Sequence, residues 1–173
     1  MAFIKDRKLA HDPWHLLKAS NDSVPALPAT GKVIVPLVFW RQHRDELIAR
    51  PDGVGVWLLA TDEAREIADD LPLLQVIAVN FATFNDGRGY STARLLRERY
   101  GWRGELRAIG DVLSDQIFYL TRVGFDAFEL REGEDMEAVL GRFEDFSETY
   151  QAAVDRPLPL FRRRESAKLT GAA

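Results

Sequence analysis

The sequence predicts an α/β domain in which about five β-α units build a mostly parallel sheet, resembling part of a TIM barrel. Three observations predict it. Short apolar runs rich in branched residues alternate with charged segments at helical spacing. Val33, Val54 and Gln75 open successive runs 21 residues apart, as do Glu105 and Asp126, so connections are short and consecutive strands should be neighbours. The 173 residues fall well short of the roughly 250 in a complete eight-unit barrel. An open doubly wound sheet of flavodoxin type is the alternative, and periodicity does not separate the two.

In chain order, residues 1–31 form a polar lead-in with Pro13, Pro25, Pro28 and a turn signal at Asn21-Asp22-Ser23, expected to be mostly irregular. Residues 32–154 form a single α/β domain. Its strands are expected at Val33–Trp40, Val54–Ala60, Gln75–Ala82, Glu105–Ile109 and Ala127–Leu130, runs that suit a sheet covered on both faces. Helices fill the gaps. One opens at Thr61-Asp62-Glu63, whose caps and acids complement a helix N-terminus. The next, Thr92 to Tyr100, follows Ser91 as its cap and gathers Arg88, Arg94 and Arg97 near an already positive end, with the latter two expected in solvent. A fourth starts from Asp111 as N-cap and turns Val112, Leu113, Ile117, Tyr119, Leu120 and Val123 to the sheet. The last, Asp135 to Ala153, presents Phe143, Phe146 and Tyr150 to the core. Residues 155–173, with Arg162-Arg163-Arg164, are expected to be a flexible tail.

Both α/β architectures place a site at the carboxyl ends of the strands. The stretch Asp86-Gly87-Arg88-Gly89-Tyr90-Ser91 follows the third strand, and its backbone N–H groups and Arg88 suit an oxyanion or phosphate. The anion-binding set is therefore Arg88, Gly89, Tyr90 and Ser91, joined by Arg107 if its register turns it inward. Asp86 and Asp111 are the candidate acid/base groups. They are equally an Asp-Gly turn and a helix cap. Asn80 is expected to line the pocket, and Gln116, an amide inside the apolar stripe that must find partners, is expected either to tie the core by hydrogen bonds to backbone or to line the pocket with it. Phe118 lies opposite the apolar stripe among Asp111, Asp115 and Arg122, where an exposed large aromatic is costly unless a partner or a second copy covers it. An open barrel leaves edges to protect, so a homodimer is expected.

Composition excludes several classes. No cysteine is present, which removes disulfides, thiolate nucleophiles and cysteine-ligated clusters. His11 and His15 have i,i+4 spacing, but Pro13 stands between them, so no metal site is expected. No cofactor is expected either, since no Gly-x-Gly-x-x-Gly follows a strand. The net charge of −4 and pI near 5.4 offer no general attraction for nucleic acid or anionic membranes. No apolar run is long enough to span a bilayer or serve as a signal peptide, so a cytoplasmic protein is expected.

The run Asp86 to Ser91 with Ala93-Arg94-Leu95-Leu96-Arg97, then Gly104-Glu105-Leu106-Arg107-Ala108, Gly110-Asp111-Val112-Leu113, Asp115-Gln116 and Gly124-Phe125-Asp126-Ala127-Phe128-Glu129, resembles an uncharacterised bacterial family, domain of unknown function 934. The likeness spans about residues 30–153. It implies a genomic setting beside the sulfite or nitrite reductase haemoprotein. That setting implies an accessory role in reductive sulfur assimilation, with this haemoprotein as partner. The residue-based alternative is a small α/β enzyme or ligand-binding protein with its pocket at Asp86–Ser91.

Overall fold

The structure is a computed structural model that describes residues 3–18, 27–131 and 133–170, with the backbone alone for 166–170. The turn signal at 21–23 and Pro25 lie outside them. Eight strands form one mostly parallel sheet that curls as a half-barrel. They are β1 Phe3–Lys5, β2 Lys8–Leu9, β3 Trp14–Leu16, β4 Lys32–Pro36, β5 Val54–Leu58, β6 Val76–Phe81, β7 Glu105–Gly110 and β8 Ala127–Glu129. The spatial order is β2-β1-β8-β7-β6-β5-β4-β3. From β3 to β8 each strand lies parallel to the next in sequence. A flavodoxin-type sheet reverses its order at a switch point; this sequential order has no reversal, which removes that alternative.

The lead-in, expected to be mostly irregular, supplies strands to both edges of the sheet. β1 and β2 form a hairpin through Asp6 and Arg7, both at positive φ as a two-residue turn of type I′ requires. β1 then pairs antiparallel with β8, while β3 pairs parallel with β4 at the opposite edge. Strands of two or three residues with polar neighbours carry too little alternation to be read from sequence.

Alternation divides the sheet's two faces. Val33, Val35, Val56, Leu58, Ile77, Val79, Phe81, Leu106 and Ala108 join the main core beneath the helices. Ile34, Val76, Ala78 and Ile109 face the other way, covered by Trp14, Leu16 and Trp57. The helical layer contains α1 Leu37–Gln42, α2 Arg44–Ile48, a 3-10 helix at Ala64–Leu73, α3 Arg88–Glu98, a 3-10 turn at Ser114–Gln116, α4 Ile117–Arg122, α5 Met136–Gly141, a 3-10 turn at Arg142–Glu144 and α6 Leu160–Thr170.

Four expected boundaries are corrected. The first strand stops at Pro36 rather than Trp40; Leu37, Phe39 and Trp40 continue the apolar run as the buried side of α1. α3 begins at Arg88 from Gly87, so Ser91 is an exposed residue of its first turn and not its cap. Asp111 caps nothing, because the chain forms a 3-10 turn before α4 starts at Ile117; Tyr119 thereby leaves the inner stripe and is 57 % exposed. The last long helix ends at Glu144. Beyond it arginines take the carbonyls: Arg122 binds Gln151 O, Arg156 binds Ser147 O and Arg163 binds Thr149 O. Phe143 stays buried, but Phe146 and Tyr150 are exposed. Part of the expected tail is helical, as α6.

Candidate functional site

At the carboxyl end of β6 the chain turns through Thr83–Asp86 into α3. Thr83 Oγ1 donates to Asn85 Oδ1, and Asp86 N donates to Thr83 O. Asp86 then accepts from Arg88 three times, from Nε at 2.9 Å, Nη2 at 2.7 Å and the backbone N at 3.2 Å. The Arg88 guanidinium holds the Asp86 carboxyl down at about 2. Gly89 is buried for packing: a Cβ there would lie 2.7 Å from the Phe81 ring. Tyr90 stacks edge-on against Phe81 and meets Tyr119 at 5.2 Å.

Asp111 fastens this corner. It accepts from Phe84 N at 3.2 Å and pairs with Arg131 past β8. Gln116 does the same from the other side, accepting from Leu113 N and donating to Phe84 O at 3.0 Å. Its amide is a structural tie between two loops. Asn80 is half-buried near the end of β6, beside Gly110, which has a φ of +92° and where a Cβ would collide with Asn80 Oδ1 and Phe81 O.

Arg107 is not with this group. It is fully buried on the inner face of the sheet, where Nη1 and Nη2 grip both oxygens of Asp12 at 2.6 and 3.0 Å, and Nε and Nη2 bind Glu105 at 2.9 and 2.7 Å. Lys5 closes the network on Glu105 at 2.7 Å, and Phe3 lies 4.3 Å from the guanidinium. Burial opposes the Arg107 charge, but Asp12 and Glu105 outweigh it and raise its pKa. The expected anion set is thus split, with Arg107 committed to tying the N-terminal segment to the sheet.

Arg97, expected in solvent, is also buried. It donates to Gly124 O, Trp102 O and Gly104 O and pairs with Asp126 at 2.7 Å. Arg94 does remain exposed, paired with Glu98.

A groove of about 640 Å³ runs between α4 and residues 145–154, with Arg94 of α3 on its wall. Phe118 is half-buried there against Phe146, with centroids 4.9 Å apart, so its expected exposure is corrected. The open aromatics are Tyr119, Phe146 and Tyr150, at 57, 60 and 70 %. Sequence reasoning put all three inside, because helical spacing alone points them there. The signal against it was the hydroxyl-rich Ser147 and Thr149, which favour non-helical backbone. A second groove of about 720 Å³ brings Arg88 and Ser91 beside Arg65 and Arg99.

Among the described residues no three His, Asp or Glu side chains are grouped to hold a metal, and no helix is long and apolar enough to cross a membrane. Comparison with curated proteins and with solved structures yields no match. Residues 55–161, from β5 into α6, match the family described as "Bacterial protein of unknown function (DUF934)". That match covers more than half the chain, the sheet's central strands and both grooves included, and the protein belongs to this bacterial family.

Proposed function

We propose that the protein works by docking, as a cytoplasmic accessory of reductive sulfur assimilation that binds the sulfite or nitrite reductase haemoprotein. The observation that carries docking is the gathering of Tyr119, Phe146 and Tyr150, all more than half exposed, around one groove. Exposed aromatics clustered in this way mark surfaces that another protein covers, and aromatics dominate the energetics of such interfaces. The choice of partner rests on the resemblance given under Sequence analysis. Sequential strand order supports the five-unit, partial-barrel reading, with α4 and the groove on the helical side.

The test is a titration of the purified haemoprotein followed by calorimetry. Binding should be measurable with the native chain and weaken about tenfold or more in Tyr119→Ser, the loss expected of an interface anchor. No complex, or one indifferent to Tyr119 and Phe146, would sink the reading.

The second reading is an oxyanion or phosphate pocket, favoured by the groove that unites Arg88, Ser91, Arg65 and Arg99, where Asp62 and Glu63 also line the wall and Glu63 pairs with Arg65 at 2.7 Å. Asp86 already engages Arg88, so an incoming anion has to displace an internal carboxylate. A melting-temperature rise with sulfite or phosphate that disappears in Arg88→Ala would support this pocket over docking.

A further inference from the structure

The floor of the aromatic groove holds an arginine with unfinished bonding. Arg122 is 7 % exposed, its Nη2 donates to Gln151 O at 2.6 Å, and its buried Nη1 has no partner. Among the described residues no carboxylate pairs with it. Thr149, across the groove, also has a buried Oγ1 without a partner. Of the groove's own acids, Glu148 is held by Arg156 and Arg163, Asp145 lies 3.7 Å from Arg142, and Asp115 is an exposed lining residue that makes no ion pair with Arg122. A buried cation lacking a counter-charge is costly, and each unpaired buried donor adds to the cost. An oxyanion seated there relieves both at once.

We infer that this groove contains a carboxylate seat, filled by an acidic side chain of the docked partner that is flanked by an apolar residue. One carboxylate oxygen accepts from Arg122 Nη1 and the other from the Thr149 hydroxyl, while the flanking apolar group lies against Tyr119 and Phe146. Both donors lie beneath the groove surface. Admission therefore requires a shift of residues 147–154, which have no helix or strand and are held by arginine-to-carbonyl bonds. The inference rests on the docking reading but has its own test.

The probe is 3-phenylpropionate, with 3-phenylpropan-1-ol as its uncharged counterpart, titrated into the full chain and followed by NMR. The carboxylate should shift the Arg122 Nε–H and Thr149 resonances and bind about tenfold more tightly than the alcohol. Thr149→Val, which preserves side-chain shape, should weaken it about fivefold, and Arg122→Gln should abolish the preference over the alcohol. Equal binding of acid and alcohol, no shift at either residue, or an unaltered affinity in Thr149→Val would overturn the seat. No partner protein enters this experiment, so its failure leaves docking to be judged by the haemoprotein titration.

Discussion

At the scale of single residues, Gly89 shows how a motif can look like ligand chemistry and serve packing. Its Cα sits where any Cβ would press into the Phe81 ring and approach Val79 at 3.1 Å. Gly89→Ala should therefore cost about 1–3 kcal/mol, read by urea denaturation, whereas Gly87→Ala meets open space and should cost far less. Asp86 makes a separate prediction. Its folded-state pKa is depressed, so its pairing with Arg88 stabilises the fold above the ordinary carboxylate range and is lost as pH falls toward 2. A carboxyl NMR titration should place Asp86 at about 2, and Arg88→Leu should return it toward its ordinary value. The Asp-Gly-Arg-Gly string was legible as a structured corner. The identity of Arg88's partner was not, because a local Asp86 contact and a ligand contact demand the same residues.

At the scale of elements, the central strands were legible because covering both faces forces a nearly continuous apolar run, and β5 to β8 fall within two residues of expectation at each end. Where an apolar run passes from strand to helix without a polar break, as at Pro36-Leu37, the boundary was not legible. The inward aim of Arg107 depended on register, which a single strand does not reveal. Its network adds a side-chain link between the N-terminal segment and the sheet to the strand pairings of β1 and β3. Arg107→Leu removes the partner of two carboxylates, one of them in Glu105 at 5 % exposure, and should cost about 3–5 kcal/mol in thermal or chemical denaturation. Phe146→Ser changes a residue that is 60 % exposed, so it should leave stability within about 0.5 kcal/mol while weakening the haemoprotein complex.

At the scale of the whole molecule, the fold solves the edge problem of an incomplete barrel with its own N-terminal segment. β2 and β3 are the outermost strands, short and partly polar, and they flank the parallel strands on both sides. Removing residues 1–17 would strip three strands and expose β8 and β4. The truncated chain should aggregate or elute as larger species in size-exclusion chromatography, and recovery of a stable monomer would contradict this role.

The same arrangement governs how the protein comes into being on the ribosome. β1 is made well before the strand it pairs with, which ends at Glu129, and Lys5 waits for Glu105. Until β8 is made the hairpin has no sheet to join, while β4 to β7 each follow the neighbour they pair with. The hairpin thus waits for the last of the parallel strands, and its closure onto β8 can only follow the synthesis of that whole parallel array.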